Sequence, residues 1–229
     1  MKDVPALRAL APRQDRSRRT FAAMNARNLR RSAVQADWTL RYAEPAEFDD
    51  VAALLLRAND EYRDAVPAAV FAAYCDNLRR LALDPAAQDD CEILVIGAAR
   101  GRDRGLLGTV TFFPDAASEG LGLPKGWAGL RALAVDPAAR GCGLGRRLAE
   151  AVIGRAQAIG APILSLHNAA FQAAARKLYL DLGFVRCPQY DFDAAAKTGA
   201  RTGAKTGIKT GAKARGARLP IEAFALRLA

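Results

Sequence analysis

One short segment constrains the fold more than any other: a β-type run ending in Leu133–Val135, a glycine-rich loop and the start of a helix. The loop, Arg140–Gly145, carries glycine at three alternate positions. Glycine lets the backbone approach a ligand because no Cβ stands in the way. The loop leads into a predicted helix over residues 143–159, whose N-terminus favours an anion. The segment therefore predicts an anion site suited to a pyrophosphate.

Two other kinds of phosphate loop do not fit this segment. A P-loop requires G-x-x-x-x-G-K-[ST], and no lysine follows these glycines. A Rossmann turn requires G-x-G-x-x-G, and the last position counted from Gly141 is Arg146. The acidic residue expected about 20 residues further on is also missing, since that region reads Ala161-Pro162-Ile163.

The periodicity of apolar residues predicts strands and helices that alternate along the chain. Helices with an apolar stripe fall between runs that are rich in β-branched and aromatic residues. The resulting order, βαα-ββ-βα-βα-ββ, indicates an α/β or α+β sheet protein. The predicted strands cover residues 38–43, 91–99, 106–113, 127–135, 163–167, a run from 184 and 219–228; the predicted helices start at 44 and 67 or cover 143–159 and 169–182.

Charge divides the chain into a mildly acidic body with two basic flanks. Residues 1–36 hold nine Lys and Arg against two acids, and residues 194–229 hold eight against one, whereas residues 37–193 have a net charge of −4. We therefore predict a basic, flexible extension over 1–36, which an organelle transit peptide or an over-long gene model would also explain. We predict a single domain over 37–229, with a Lys/Thr/Gly/Ala loop at 194–218 inserted between the last two strands.

Several classes of protein are excluded by composition. No apolar run approaches the ~20 residues that span a bilayer, so no membrane segment is expected. The four cysteines form no C-x-x-C pair and His167 is the only histidine, so neither a zinc site nor a disulfide framework is expected. This cysteine usage predicts a cytoplasmic location.

A second motif lies downstream of the glycine-rich loop. Residues 175–184 read A-x-x-L-Y-x-x-x-G-F and include Tyr179 and Gly183. Together with R-x-x-G-x-G at Arg140–Gly145, this motif resembles the GNAT N-acetyltransferase superfamily. The resemblance covers roughly residues 38–193 and 219–228.

The resemblance implies a fold, a cofactor and roles for particular residues. It implies an α/β fold whose mixed central sheet splays between the fourth and fifth strands, with helices on both faces and acetyl-CoA in the gap. Tyr179 matches the position that protonates the departing CoA thiolate. The resemblance assigns cofactor contacts to the backbone of Leu133, Ala134 and Val135, to the loop residues Arg140, Gly141, Cys142, Gly143, Leu144 and Gly145, and to Arg146.

The sequence departs from the family pattern at two positions. Many relatives carry a glutamate early in the cofactor strand, where this chain reads Trp127-Ala-Gly-Leu-Arg131 without an acid. Many also have asparagine at the cofactor-contacting position three residues before the motif alanine, where this chain has Gln172. Glu119 and His167 are the candidate bases, unless a neutral amine or a water chain makes a base unnecessary.

The resemblance implies an acetyl-CoA-dependent N-acetyltransferase without a metal. It would act by direct transfer in a ternary complex, and the acceptor would be a primary amine of an unidentified small molecule or peptide. The active form would be a monomer or homodimer, and nucleic acid is not an expected partner. The alternative is a catalytically weak CoA-binding module whose basic flanks contact nucleic acid or a protein partner. The missing strand acid motivates that alternative.

Overall fold

The computed structural model of the protein describes residues 38–83, 91–98, 105–194 and 219–228. The predicted basic extension, residues 1–36, and the predicted inserted loop apart from Ala194 lie outside the described residues. Both predictions therefore remain expectations.

Four α-helices and eight strands are found in the part of the chain that the structure describes, and most lie where the periodicity predicts them. The helices are α1 (Phe48–Asn59), α2 (Ala68–Leu83), α3 (Leu144–Ala158) and α4 (Ala173–Asp181). The strands are β1 (Trp38–Tyr42), β2 (Glu92–Ala98), β3 (Gly108–Phe113), β4 (Ala128–Val135), β5 (Ile163–Ala169), β6 (Val185–Arg186), β7 (Phe192–Asp193) and β8 (Pro220–Arg227).

The predicted strand from residue 184 is in fact two short pieces, β6 and β7. A 3-10 turn at Pro188–Tyr190 separates them. Proline has no N–H to donate to a strand ladder, so the run cannot continue as one strand there. Similarly, α4 begins at Ala173 rather than Ala169, because β5 extends through Ala169.

The strands form one mixed sheet in the order β1-β2-β3-β4-β5-β8-β6, with β7 also paired to β8. Neighbours are antiparallel except for β4 and β5, which run parallel. The predicted mixed sheet is thus confirmed.

Helices cover both faces of the sheet, because alternate residues of a strand point to opposite sides. Leu94 and Ile96 of β2 pack in the same core as α3, whereas Ile93 and Val95 pack with α1 and α2. Val95 and Ile96 have no exposed surface, so neither face is open to water at this strand.

The sheet splays between β4 and β5. Three residue pairs join them, the last being Leu130 and Leu166; beyond that pair the two strands, both wholly described, share no pairing. The β3–β4 register also shifts, so that Thr111 faces Arg131 and Thr109 faces Ala134. Such a bulge bends a strand and increases its twist. The gap therefore opens after Leu130, between the two strands that the sequence predicts.

Within the described residues, no helix is both long and apolar enough to cross a membrane.

Candidate active site

The glycine-rich loop forms an open backbone cradle. The Asp136 carboxylate accepts a 3.0 Å hydrogen bond from the Ala138 N–H and starts the turn into the loop. Gly141 and Gly143 have φ values of 79° and 80°, which L side chains rarely adopt. A Cβ at either position would meet no atom within 4 Å. These two glycines therefore set the loop conformation and leave its outer side open.

The amides of this loop are available to a ligand. Gly143 is the N-cap of α3 and provides no side-chain cap. The first N–H of the helix with a backbone partner is that of Arg147, 3.1 Å from the Gly143 carbonyl. Within the part of the chain that the structure describes, the N–H groups from Gly141 to Arg146 have no hydrogen-bond partner. Six consecutive donors at the positive end of a helix form a site for an anion.

The remaining side chains of this segment either pack inward or stay open to solvent. Leu144 is buried in the core that α3 forms, and a Cβ at Gly145 would lie 3.5–3.7 Å from side-chain atoms of Leu133, Leu178 and Val135. Cys142 is exposed. One side of the loop therefore packs against the core, and the other side is open to solvent.

The arginines of this segment take different directions. The Arg140 guanidinium donates to the Glu61 carboxylate at 2.9 Å and to the Ala58 carbonyl at 2.8 Å, which ties the loop to the end of α1. Arg147 stacks on the Trp38 ring at 4.4 Å. Arg146 lies 3.9 Å from Glu150, a loose ion pair. Of these three cations, Arg146 is the one left beside the amides without a tight partner in the described structure.

The backbone of Leu133–Val135 borders the gap. On one side Ala134 and Val135 pair with β3, and on the other side the pairing with β5 has already ended. The Leu133 and Val135 side chains pack towards α3, whereas Ala134 packs towards α1. No described strand lies beside the edge of β4 that faces the gap, which the predicted cofactor contacts of this backbone require.

Tyr179 on α4 combines a buried ring with a hydroxyl that no described residue hydrogen-bonds. Its relative exposure is 5%, and its ring packs edge-on against Phe184 at 5.8 Å. The described residues give the hydroxyl no hydrogen bond. Burial raises the pKa of Tyr179 well above its ordinary value of 10, so the hydroxyl is protonated at neutral pH. Tyr179 can therefore donate a proton but does not readily lose it to water.

Gln172 belongs to a polar network that spans the gap. Its amide nitrogen donates to Asn59 Oδ1 at 3.1 Å and to the Tyr74 hydroxyl at 3.2 Å, and its oxygen accepts from the Ala169 N–H at 3.2 Å. The Tyr74 hydroxyl donates to the same Asn59 oxygen at 3.1 Å. The network joins α1, α2 and the turn after β5. Asn59 has a signal in the sequence, because it lies four residues after Leu55 on the apolar stripe of α1.

Glu119 and Arg131 form an ion pair on the α1–α2 face of the sheet. Glu119 ends a 3-10 helix at Ala116–Glu119 and is 3% exposed, and its carboxylate accepts a hydrogen bond from Arg131 Nε. One carboxylate oxygen lies 2.9 Å from the position that a Cβ of Gly129 would occupy. Burial raises the pKa of Glu119, although the charge of Arg131 opposes the shift. The Glu119 carboxylate thus lies against the stretch of β4 that contains no acidic residue.

His167 lies across the gap from Arg131, as the first residue of β5 beyond the last pair with β4. Its Nε2 is 3.1 Å from the Tyr190 carbonyl oxygen, and its ring packs edge-on against Phe192 at 5.2 Å. Because a carbonyl can only accept, Nε2 carries the proton in this contact. The lone pair of a neutral His167 is then on Nδ1. Both candidate bases therefore lie where the gap begins.

The described residues contain no group of three His, Cys, Asp or Glu side chains placed to hold a metal ion.

Sequence and structure comparisons agree on one family. The family model described as the acetyltransferase (GNAT) family matches residues 51–184. No curated protein matches the sequence. The yncA protein of Salmonella typhimurium, designated an acetyltransferase and solved with its cofactor acetyl-CoA, is 18% identical over 85% of this chain and 95% of its own, with a TM-score of 0.52.

Two further structures come from Staphylococcus aureus Mu50. An acetyltransferase of the GNAT family is 11% identical over 84% of this chain and 99% of its own, with a TM-score of 0.56. An N-acetyltransferase is 19% identical over 85% of this chain and 100% of its own, with a TM-score of 0.53. At these identities the structural likeness establishes the fold.

Proposed function

The chain belongs to the acetyltransferase (GNAT) family, and from this membership we propose that it transfers an acetyl group from acetyl-CoA to a primary amine by direct transfer in a ternary complex. One observation carries the proposal: six consecutive backbone N–H groups, from Gly141 to Arg146, have no partner among the described residues and adjoin a gap in the sheet. Donors of this kind fit a diphosphate.

Three parts of the chain fit the cofactor. The Gly141–Arg146 amides would hold the diphosphate, with the Arg146 side chain beside them. The open edge of Leu133–Val135 offers backbone donors and acceptors to the amides of the pantetheine arm. Acetyl-CoA supplies the activated acyl group as a thioester. We propose that Arg140 acts through the loop, because its guanidinium is engaged by Glu61 and the Ala58 carbonyl.

Tyr179 is the proposed general acid. Its hydroxyl keeps a proton at neutral pH and has no partner in the described structure, so the proton is available to a departing thiolate. Gln172 would act differently from a cofactor ligand. Its side chain already bonds to Asn59 and Tyr74, so it holds the turn after β5 in place at the gap.

Glu119 is the base that the geometry favours. Its carboxylate lies against Gly129, on the strand where the sequence lacks an acid, and burial raises its pKa towards the range in which a base accepts a proton near neutrality. An amine attacks only when neutral, so the acceptor ammonium must first lose one proton, which Glu119 takes. His167 remains the alternative, acting through Nδ1.

The proposed setting follows from the cysteines. None of Cys75, Cys91, Cys142 and Cys187 forms a disulfide, which supports the proposal of a reducing, cytoplasmic location. We propose a monomer or homodimer as the active form.

Calorimetric titration with acetyl-CoA, followed by a thiol-release screen of primary amines, tests the proposal. Tyr179→Phe should lower kcat by roughly 100-fold to 10,000-fold while the Kd for acetyl-CoA changes little, because the ring packing survives and only the proton is lost. Tyr42→Phe, at an exposed tyrosine of β1, is the matched control and should change neither.

Two outcomes would contradict the proposal. Equal losses of turnover and acetyl-CoA affinity in Tyr179→Phe would rule out the acid role. Acetyl-CoA binding without thiol release for any amine would instead support the catalytically weak CoA-binding module.

A further inference from the structure

Arg131 occupies the point at which the sheet opens. It is the first residue of β4 after the last pair with β5, and by strand alternation it shares a face with Gly129. Glu119 lies on that same face, against Gly129, and contacts Arg131 through Nε. A buried carboxylate and a guanidinium thus stand side by side where the gap begins.

The described residues use only one of the hydrogen-bond donors of Arg131. A guanidinium has five N–H donors, and the contact with Glu119 uses the one on Nε. Among the residues that the structure describes, none bonds to Nη1 or Nη2. The side chain is 20% exposed, and neither Nη atom is among the buried side-chain nitrogen and oxygen atoms that lack a partner. The four remaining N–H groups are therefore accessible to a ligand that enters the gap.

The charge of Arg131 also reaches the polar groups that border the gap. Burial raises the pKa of the Tyr74 hydroxyl, and the positive charge of Arg131 works against that rise. Tyr74 in turn adds to the rise in the pKa of Tyr179, the proposed acid. The guanidinium therefore lies within electrostatic reach of the polar groups around the proposed reaction centre.

We propose that the Glu119–Arg131 pair is the acceptor subsite and that it selects an α-amino acid or a similar zwitterion. The carboxylate of the acceptor would bind Nη1 and Nη2 in the two-pronged geometry that a guanidinium favours. The neighbouring ammonium would face Glu119, which takes its proton. This inference rests on the proposed function and names its substrate class.

Charge balance distinguishes this class from two others. A polyamine would bring further positive charge against Arg131, and a purely anionic acceptor would bring negative charge against Glu119. A zwitterion presents one charge of each sign at the same spacing as the pair itself. A subsite that carries one positive and one negative charge therefore fits an acceptor that also carries one charge of each sign.

Matched acceptors test the inference. The panel pairs each amino acid with its amide and with the amine that lacks the carboxyl group, for example leucine, leucinamide and isoamylamine. In the wild-type protein, kcat/KM for leucine should exceed that for isoamylamine by roughly 30-fold or more, because the amine leaves the Arg131 donors unpaired. Leucinamide should resemble isoamylamine.

Three variants separate recognition from folding. Arg131→Gln should reduce the leucine-to-isoamylamine ratio of kcat/KM by roughly 30-fold, and Arg131→Lys should reduce it less, since lysine keeps the charge but loses the planar fork. Arg131→Gln alone leaves Glu119 buried beside a neutral group, so the double variant Glu119→Gln/Arg131→Gln is the folding control. It should fold and bind acetyl-CoA, and it should not discriminate leucine from isoamylamine.

Calorimetry of the CoA-loaded protein with leucine separates failure of this inference from failure of the proposed function. Leucine binding that Arg131→Gln abolishes, without turnover, would uphold the subsite and overturn the acetyltransferase proposal. Acetylation of isoamylamine at least as fast as leucine would overturn the subsite and uphold the transferase. Neither leucine binding nor turnover of any amine would overturn both.

Discussion

Gly143 provides the sharpest test of the proposed cofactor cradle, because the same backbone strain can be introduced at the other end of α3. Gly143 precedes α3 with φ at 80°, and Gly160 follows it with φ at 71°. A Cβ at either position would meet no atom within 4 Å. Gly143→Ala and Gly160→Ala therefore impose similar backbone strain without a steric clash, but only Gly143 lies in the loop that offers its amides to a ligand.

The expected magnitudes differ for stability and for binding. An L side chain in the left-handed region costs about 1–2 kcal/mol. For a domain of this size, each kcal/mol lowers Tm by about 2–4 °C, so both variants should melt about 2–8 °C below the wild type. In Gly143→Ala the loop would relieve its strain by rotating a peptide out of the cradle. Loss of one hydrogen bond to a charged oxygen costs about 1.5–3 kcal/mol, or roughly a 10-fold to 150-fold rise in Kd.

Titration calorimetry and differential scanning calorimetry on the two variants measure these quantities. Gly160→Ala should show the lower Tm with an unchanged Kd for acetyl-CoA. Gly143→Ala should show both the lower Tm and the higher Kd. The same rise should appear with CoA itself, because the two ligands share the diphosphate and differ in the acetyl group.

Equal losses of Tm in the two variants, with acetyl-CoA bound as tightly as by the wild type, would show that the amides around Gly143 do not hold the diphosphate. An equal rise in Kd for both variants would point instead to a general loosening of α3, and the six donors would lose their assigned role.

Three further predictions concern ionised side chains. Arg140→Ala and Glu61→Gln should each weaken acetyl-CoA binding a few-fold, by no more than about 1 kcal/mol, because both break the exposed ion pair that shapes the loop. Tighter acetyl-CoA binding by Glu61→Gln would instead show that the released Arg140 guanidinium contacts phosphate directly. The kcat/KM of the wild type should fall as the pH drops through the raised pKa of Glu119, because a protonated carboxyl accepts no proton, and this limb should vanish in Glu119→Gln. The hydrogen bond from Arg41 lowers the pKa of Glu47, so the Arg41–Glu47 pair stabilises the fold fully above the ordinary carboxyl pKa, and this stability is lost as the pH falls through the lowered pKa. Glu47→Gln should therefore lower Tm at pH 7. A difference in Tm between this variant and the wild type that persists in strong acid would contradict the prediction.

The sequence was sufficient to predict the turn from strand to helix at the glycine-rich loop because the determinants of that turn are local. Three alternate glycines, a preceding strand and the apolar stripe of the following helix lie within one continuous stretch, and φ values near 80° at Gly141 and Gly143 are what glycine readily adopts. Tyr179 is comparable, since its motif places it on the inward side of a short helix. Features that one continuous segment determines do not depend on how distant segments pack.

The proposed acceptor side could not be predicted in the same way, because distant segments create it. Glu119 reaches β4 only because Gly129 has no side chain, and the two residues belong to different elements. Gln172 meets Asn59 across 113 positions of sequence. The same holds for one residue of the glycine-rich loop: the motif predicts that Arg140 contacts the cofactor, whereas its guanidinium binds the end of α1, a partner that only the tertiary fold brings near.

The bulge in β4 links the two sides of the site. In a regular strand, alternation from Leu130 would place Ala132 on the α3 face and turn Leu133 and Val135 towards α1. Leu133 and Val135 in fact pack with α3, and Ala134 packs with α1, because the extra residue shifts the phase of the strand. In the sequence, this shift is visible as a spacing of three residues between Leu130 and Leu133, whose side chains share one face. A strand with a strict period of two would place them on opposite faces. The same shift starts directly after Arg131, so the distortion that keeps the core filled also ends the pairing with β5 and leaves a guanidinium at the mouth of the gap.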